Sequence, residues 1–267
     1  MDARAYAESI VTSVSLEAKL VPPPEALELV DSGPPLRLAA PGRAPALAIV
    51  PGREARVPPL AGMRDRDQRG RILHALANHE LQAIELFAWA LLAYPDAPLA
   101  FRRGLVAILA DEQRHFRLYE QRLAAHGVAF GDHKVTGHFW NKIDHLTGPL
   151  EFVCAMGLTF EAANLDFAGD YAEAARAAGD PATAEVLDQV HADEIAHVHF
   201  GWVWLCKLAP EGDRWQAYVA HVHPPLGPHR ARGARFDREA RVRAGFDDAF
   251  IAELETVTAK RPSGAPR

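Results

Sequence analysis

Cysteine, unbroken apolar runs and positive charge are all in short supply here, and each shortage removes a class of protein. Two cysteines in 267 residues, Cys154 and Cys206, each inside an apolar stretch, cannot build a disulfide scaffold and lack the paired spacing of a zinc or redox site. They read as core thiols. No apolar run is long enough to cross a bilayer, and the first residues lack the basic start, apolar run and small-residue cleavage site of a secretory signal. The expectation is a soluble cytoplasmic protein without a membrane partner. Against 35 Asp and Glu stand 29 Lys and Arg, a net charge of −6, so no global attraction draws the chain to nucleic acid or to an anionic membrane.

Proline, by contrast, is abundant and concentrated. Of the chain's 20 prolines many crowd the span 21–60, where continuous helix is excluded and extended packing arms are expected. The interleaved Leu27, Leu29, Leu36, Leu38, Leu47, Ile49 and Val50 mark an arm that wraps a core, since a free linker is more polar. Before it, Ala3 to Leu20 has room for one short helix.

After Asp67 four segments carry helical periodicity. The first runs from about Arg66 to Ala93 and stops at Tyr94-Pro95-Asp96-Ala97-Pro98; the second starts near Pro98 and ends at Gly127,. The third runs from about Pro149 to Ala178, Gly179 caps it, and Pro181 opens a fourth that reaches about Leu208,. Short connections within each pair make antiparallel neighbours, and the span 127–148 is long enough to return along a bundle. Two antiparallel hairpins joined by a long crossover define an all-α, ferritin-like four-helix bundle. The organisation expected is one domain with extensions: an arm with a short helix over 1–65, the bundle over 66–208, and a helical extension over 209–267 that packs on it. The extension holds a short helix near Trp215 to His221 and a last one near Asp247 to Thr258.

Inside the helices a motif recurs. Ala110-Asp-Glu-Gln-Arg-His-Phe116 returns 82 positions later as Ala192-Asp-Glu-Ile-Ala-His-Val198. Read every three or four residues, the second helix presents Leu105, Ile108, Leu109, Glu112, His115, Phe116 and Tyr119, and the fourth presents Leu187, Val190, Glu194, His197, Gly201 and Trp204,. In both stripes a Glu-x-x-His pair interrupts the apolar face, and residues three apart converge on one point. Each pair is half of a metal site. A facing acid is expected roughly thirty residues upstream across each hairpin. Glu80 lies 32 positions before Glu112, and Glu161 lies 33 before Glu194. An acid five positions further on, Glu85 and Asp166, repeats too, although that offset points to another face.

Four interior carboxylates repel one another and are costly to desolvate, so an empty site holds some of them protonated. Two divalent cations neutralise them. Oxygen and imidazole ligands suit two iron ions, with manganese or a mixed manganese–iron pair as alternatives. Asp111 and Asp193, which repeat with the motif, are placed to accept the other N–H of a ligating imidazole, or else are surface acids beside it.

The segments RGRILHALANHELQAIELFAWALL, DEQRHF, DEIAHVHFGWVWLCKL and REARVRAGF together resemble an uncharacterised bacterial family of ferritin-like domains (DUF455-type), over most of the chain and including the arm. The wider superfamily implies dioxygen chemistry at a carboxylate-bridged di-iron centre, and its members include hydroxylases, one acting on a modified tRNA base. By that resemblance Glu80, Glu112, His115, Glu161, Glu194 and His197 match the metal positions.

Other residues carry two readings each. His191, one turn before Glu194, is an extra ligand or proton shuttle, or a rim histidine. Tyr119, one turn beyond His115, is a hydrogen-bonding or oxidisable phenol, or a core tyrosine. Glycines 157, 169 and 201 inside helices imply close helix approach, a bulge, or room for a small molecule. Arg230, Arg232, Arg235, Arg238, Arg241 and Arg243 either grip a phosphate-bearing substrate or RNA, or form a solvated tail paired with acidic helix surfaces, which the acidic net charge favours. The function expected is an oxidoreductase that activates dioxygen to hydroxylate or oxidise a small organic molecule, with an external electron donor. The alternatives are non-catalytic iron or oxygen handling by storage, buffering or sensing, and a scaffold with vestigial ligands. Association into homo-oligomers is left open.

Overall fold

The computed structural model describes residues 1–258, and these are mostly helical, with one two-residue parallel strand pair. Among them no helix is long and apolar enough to cross a membrane. The chain divides into two compact units. The first joins 1–58 to 65–143, and the second joins 59–64 to the chain from Asp144 onward. The division falls inside the span 66–208, between the two hairpins.

The first unit is built on a hairpin of α3 (Arg66–Ala93) and α4 (Leu99–Ala125). Asp65 caps α3 by accepting the amide of Gln68, and prolines 95 and 98 keep the five-residue connection out of helix,. Two further helices precede the hairpin, α1 (Ala3–Thr12) and α2 (Leu16–Lys19), where one was expected. The chain breaks after Thr12, and Ser15 restarts it as a cap to the amide of Ala18.

Every residue of α3 from Leu81 to Ala93 is buried, which an amphipathic helix against a single partner does not achieve. The cause is the proline-rich arm and α1, which pack on it. The Trp89 indole donates to the carbonyl of Leu38 at 3.0 Å, and the amide of Leu36 donates to the carbonyl of Leu92 at 2.9 Å. The arm also pairs with the crossover: β1 (Ile49–Val50) runs parallel to β2 (Val135–Thr136).

Glu85 is therefore buried, although its offset from Glu80 turns it to another face. The arm covers that face and brings its own counter-charge. Arg43 grips the carboxylate with Nε at 3.0 Å and Nη2 at 2.7 Å, Lys19 Nζ stands at 3.2 Å, and the Trp140 indole donates at 2.8 Å.

In the second unit the third expected helix is continuous but not uniform. It comprises α5 (Pro149–Ala155), a π-helical turn (Met156–Glu161) and α6 (Ala162–Ala177). Gly179, at φ 75°, takes the left-handed conformation that closes it,. Asp180 then caps α7 (Pro181–Leu208) by accepting the amide of Thr183. The glycines inside these helices separate by role. A Cβ on Gly157 would lie 2.9 Å from the Cα of Gly201, and one on Gly201 would lie 3.1 Å from the Cα of Gly157, whereas Gly169 has open space. Close backbone approach is thus the reason for the first two.

The extension adds α8 (Arg214–Ala220), α9 (Arg238–Arg243) and α10 (Asp248–Thr256). Rings of Trp202, Trp215, Tyr218, Phe246 and Phe250 pack with centroids 5.0–5.7 Å apart, and they seat it on α7.

The arginine-rich segment is not simply a solvated tail. Arg241 is fully buried and grips Asp166 through Nη1 at 2.8 Å and Nη2 at 2.9 Å, while the amides of Gly233 and Asp237 donate to the same carboxylate. Arg235 and Arg238 do pair on the surface, with Glu173 and with Asp248 and Glu255. Arg232 donates to the carbonyl of Glu255.

Removing a buried cation while leaving its acid is the costly direction, so Arg241→Met is expected to destabilise the protein by about 3–5 kcal/mol. Arg235→Met, at an exposed pair, is expected to stay within about 0.5 kcal/mol of wild type. Urea unfolding of both variants measures the contrast.

Candidate metal centre

In the first unit Glu80 comes from α3, and Glu112 and His115 come from α4 one helical turn apart. All three are buried, and one ligand atom from each lies within 4.8 Å of the others. Nδ1 of His115 stands 3.7 Å from Glu80 Oε2 and 3.6 Å from Glu112 Oε2. Ligands held about 2.1 Å from one ion stand about 3 Å apart at a right angle and about 3.6 Å apart at 120°. These separations are those of donors around a common ion.

The electrostatics point the same way. Burial pushes the Glu80 carboxyl well above its usual range, the neighbouring Glu112 charge pushes it further, and His115 opposes both. Glu85, as deeply buried on the same helix, has Arg43 and Lys19 instead. The Glu80–Glu112 pair is a site of accumulated negative charge that a cation relieves.

The second unit repeats the set. Glu161 ends the π-helical turn, Glu194 and His197 share one face of α7, and their ligand atoms again lie within 4.8 Å of one another. Nδ1 of His197 is 3.2 Å from Glu194 Oε2. The other Glu194 oxygen accepts the amide of Asn164 at 2.9 Å. Two carboxylates and one imidazole, without sulfur, suit a metal ion that takes oxygen and nitrogen donors,.

The flanking residues make the following contacts. Asp111 forms an ion pair with Arg114 at 2.8 Å, and Asp193 accepts from Gln189 at 2.9 Å. Tyr119 is buried one turn beyond His115. His191 Nε2 lies 3.3 Å from Asp237 of the C-terminal extension. His79, beside the rings of His138 and Phe139, has its pKa lowered to about 4 by burial. Asn164 was not singled out from the sequence, though its place three residues after Glu161, on the same helix face, is the signal that finds it. Thr159 and Tyr218, which hydrogen-bond at 2.8 Å inside the second unit, carry no such signal.

An all-α chain with buried clusters of glutamate and histidine, able to hold metal ions, is the class these features define. The chain belongs to the family described as protein of unknown function (DUF455), whose model matches residues 5–252. It is similar to a protein of Haemophilus influenzae described as uncharacterized, with 26% identity over 188 residues. That match covers 65% of this chain and 63% of the relative's length. No solved structure matches.

A carboxyl whose folded pKa lies above the ordinary 4.5 contributes stability that is present at low pH and lost as pH rises through the folded value. The metal-free protein therefore loses stability on going from acid to neutral pH, and Glu80→Gln removes that loss. Thermal melts are expected to show Glu80→Gln above wild type at pH 7, with the gap closing towards pH 4.

Proposed function

We propose that the chain is a ferritin-like di-iron oxidoreductase. Glu80, Glu112 and His115 hold one ion, Glu161, Glu194 and His197 hold the other, and dioxygen oxidises or hydroxylates an organic substrate at the pair. The observation that carries this reading is the duplication: the same buried set of two carboxylates and one imidazole occurs in each unit, at matched places on matched hairpins. Taken together, the four carboxylates of the two sets balance two divalent cations, the donor set of ferritin-like di-iron and di-manganese proteins.

Bound iron supplies the electrons and the affinity for dioxygen that no side chain here has. The chain supplies the rest. Glu80 and Glu112, mutually repelling when the ions are absent, become the negative wall that holds them. Asn164 fixes one oxygen of Glu194, leaving the other for an ion and setting its direction,. Nδ1 of His115, 3.6 Å from Glu112 Oε2, and Nδ1 of His197, 3.2 Å from Glu194 Oε2, are the imidazole nitrogens that would hold the ions. Leu105, Leu109, Phe116, Leu158 and Leu165, all buried, keep water from the surroundings of these groups.

Hydroxylation of a C–H bond by dioxygen needs two further electrons and two protons, which leave as water, so a reductant is a partner of the reaction. Tyr119, buried one turn beyond His115, is the phenol that this reading gives the task of holding a proton near the ligands. Arg232, Arg235, Arg238 and Arg241 are engaged within their own unit, which favours a small-molecule substrate over RNA.

Protein purified without oxygen and supplied with ferrous iron is expected to bind two ions per chain. Glu112→Ala and Glu194→Ala are each expected to weaken binding by about tenfold or more. Metal analysis reads the stoichiometry, and absorption after an oxygen pulse reads the oxidation. Uptake near zero that neither substitution changes would sink the proposal. Iron accumulation far beyond two per chain would replace it with storage.

A further inference from the structure

Tyr218 is fully buried, lies in α8 far from the ligands in sequence, and has no part in the chemistry above. Its hydroxyl meets Thr159 Oγ1 at 2.8 Å, and Thr159 Oγ1 in turn donates to the carbonyl of Cys154 at 2.7 Å. A threonine hydroxyl has one proton. Spent on Cys154, it leaves Thr159 only as an acceptor, so Tyr218 is the donor. Burial raises the phenol pKa, which keeps that proton in place.

Thr159 belongs to the π-helical turn that ends at Glu161. Such a turn inserts one residue beyond the α-helical repeat, and it persists where its surroundings hold it. On the far side of Glu161, Arg241 Nη2 donates to the carbonyl of Ala162 at 3.1 Å while gripping Asp166. Both flanks of Glu161 are thus tied to the C-terminal extension, one through Tyr218 and one through Arg241. The aromatic packing of Tyr218 against Trp215 and Phe250, at 5.7 and 5.4 Å between centroids, fixes where its hydroxyl can reach.

We propose that Tyr218 is a positioning residue for the metal site: through Thr159 it holds the π-helical turn in the register that aims Glu161 at Glu194 and His197. Relaxation of the turn to α-helix rotates the residues on one side of it by about 100° relative to the other, the angle per residue of a helix with 3.6 residues per turn. Glu161 then leaves the cluster. The inference rests on the reading of Glu161 as a metal ligand.

Cobalt(II) titrated anaerobically into the full chain tests it, because its visible absorption band reports coordination and needs neither dioxygen nor a substrate. Tyr218→Phe keeps the ring and deletes one hydroxyl; Thr159→Val deletes the relay, and Thr159→Ser keeps it. Wild type and Thr159→Ser are expected to take two cobalt ions per chain with the same spectrum. Tyr218→Phe and Thr159→Val are expected to bind one of the two about tenfold or more weakly, the usual effect of losing a group that orients a ligand, with a changed band. Two ions bound with wild-type affinity and spectrum in both deletion variants, whatever their melting temperatures, overturn the role of Tyr218 and leave the metal centre standing. If wild type itself takes up no cobalt or iron, the metal reading and this one fall together. Should Tyr218→Phe fail to fold, the contrast between Thr159→Val and Thr159→Ser decides.

Discussion

A carboxylate enclosed in an apolar helix interior must acquire positive charge, keep a proton, or stay out, and this chain encloses six of them within its long helices. Two are neutralised by the chain itself. Glu85 has Arg43 and Lys19, and Asp166 has Arg241. The other four, Glu80, Glu112, Glu161 and Glu194, stand in pairs beside an imidazole. At the Glu80–Glu112 pair, burial and mutual repulsion raise the Glu80 pKa, and a bound cation would relieve both,. The named counter-charges thus mark Glu85 and Asp166 as acids that build the fold and leave the other four as candidate metal ligands, although burial alone does not distinguish them.

Much of this is written in local sequence. Pro98, Gly179, Pro181 and the apolar spacing mark the four long helices to within a few residues, and Glu-x-x-His on a buried stripe marks the candidate ligands. What escapes is what depends on distant chain. Glu85 looks outward because helical geometry counts only α3 and its hairpin partner, and the arm that covers the outer face is separated from it by 42 residues at Arg43. Arg241 and Asp166 are 75 apart, so the segment reads as a charged surface until it is folded. The π-helical turn leaves no trace either, since Cys154, Leu158 and Glu161 fit the ordinary helical period and only the backbone register departs from it.

Each unit combines one hairpin with one terminal extension, and in each the extension delivers an arginine to the acid five residues beyond the upstream glutamate. The extensions share no sequence pattern: one is proline-rich and largely without helix, the other is three short helices. They nevertheless solve the same electrostatic problem. The family match from residue 5 to 252 takes in both arginines, as it must if arm and extension are integral to the fold rather than appended to it.

The contact between Gly157 and Gly201 gauges the second cluster. Gly157 precedes Glu161 by one turn and Gly201 follows His197 by one turn, so the two backbones touch one level away from the acid and the imidazole. A hinge line that close fixes the jaw width above it: with hydrogen as the only spacer, α7 and the helix bearing Glu161 cannot drift nearer, and a methyl group at either glycine would prise them apart. The gap between Glu161 and the Glu194–His197 face is therefore set by two residues outside the cluster.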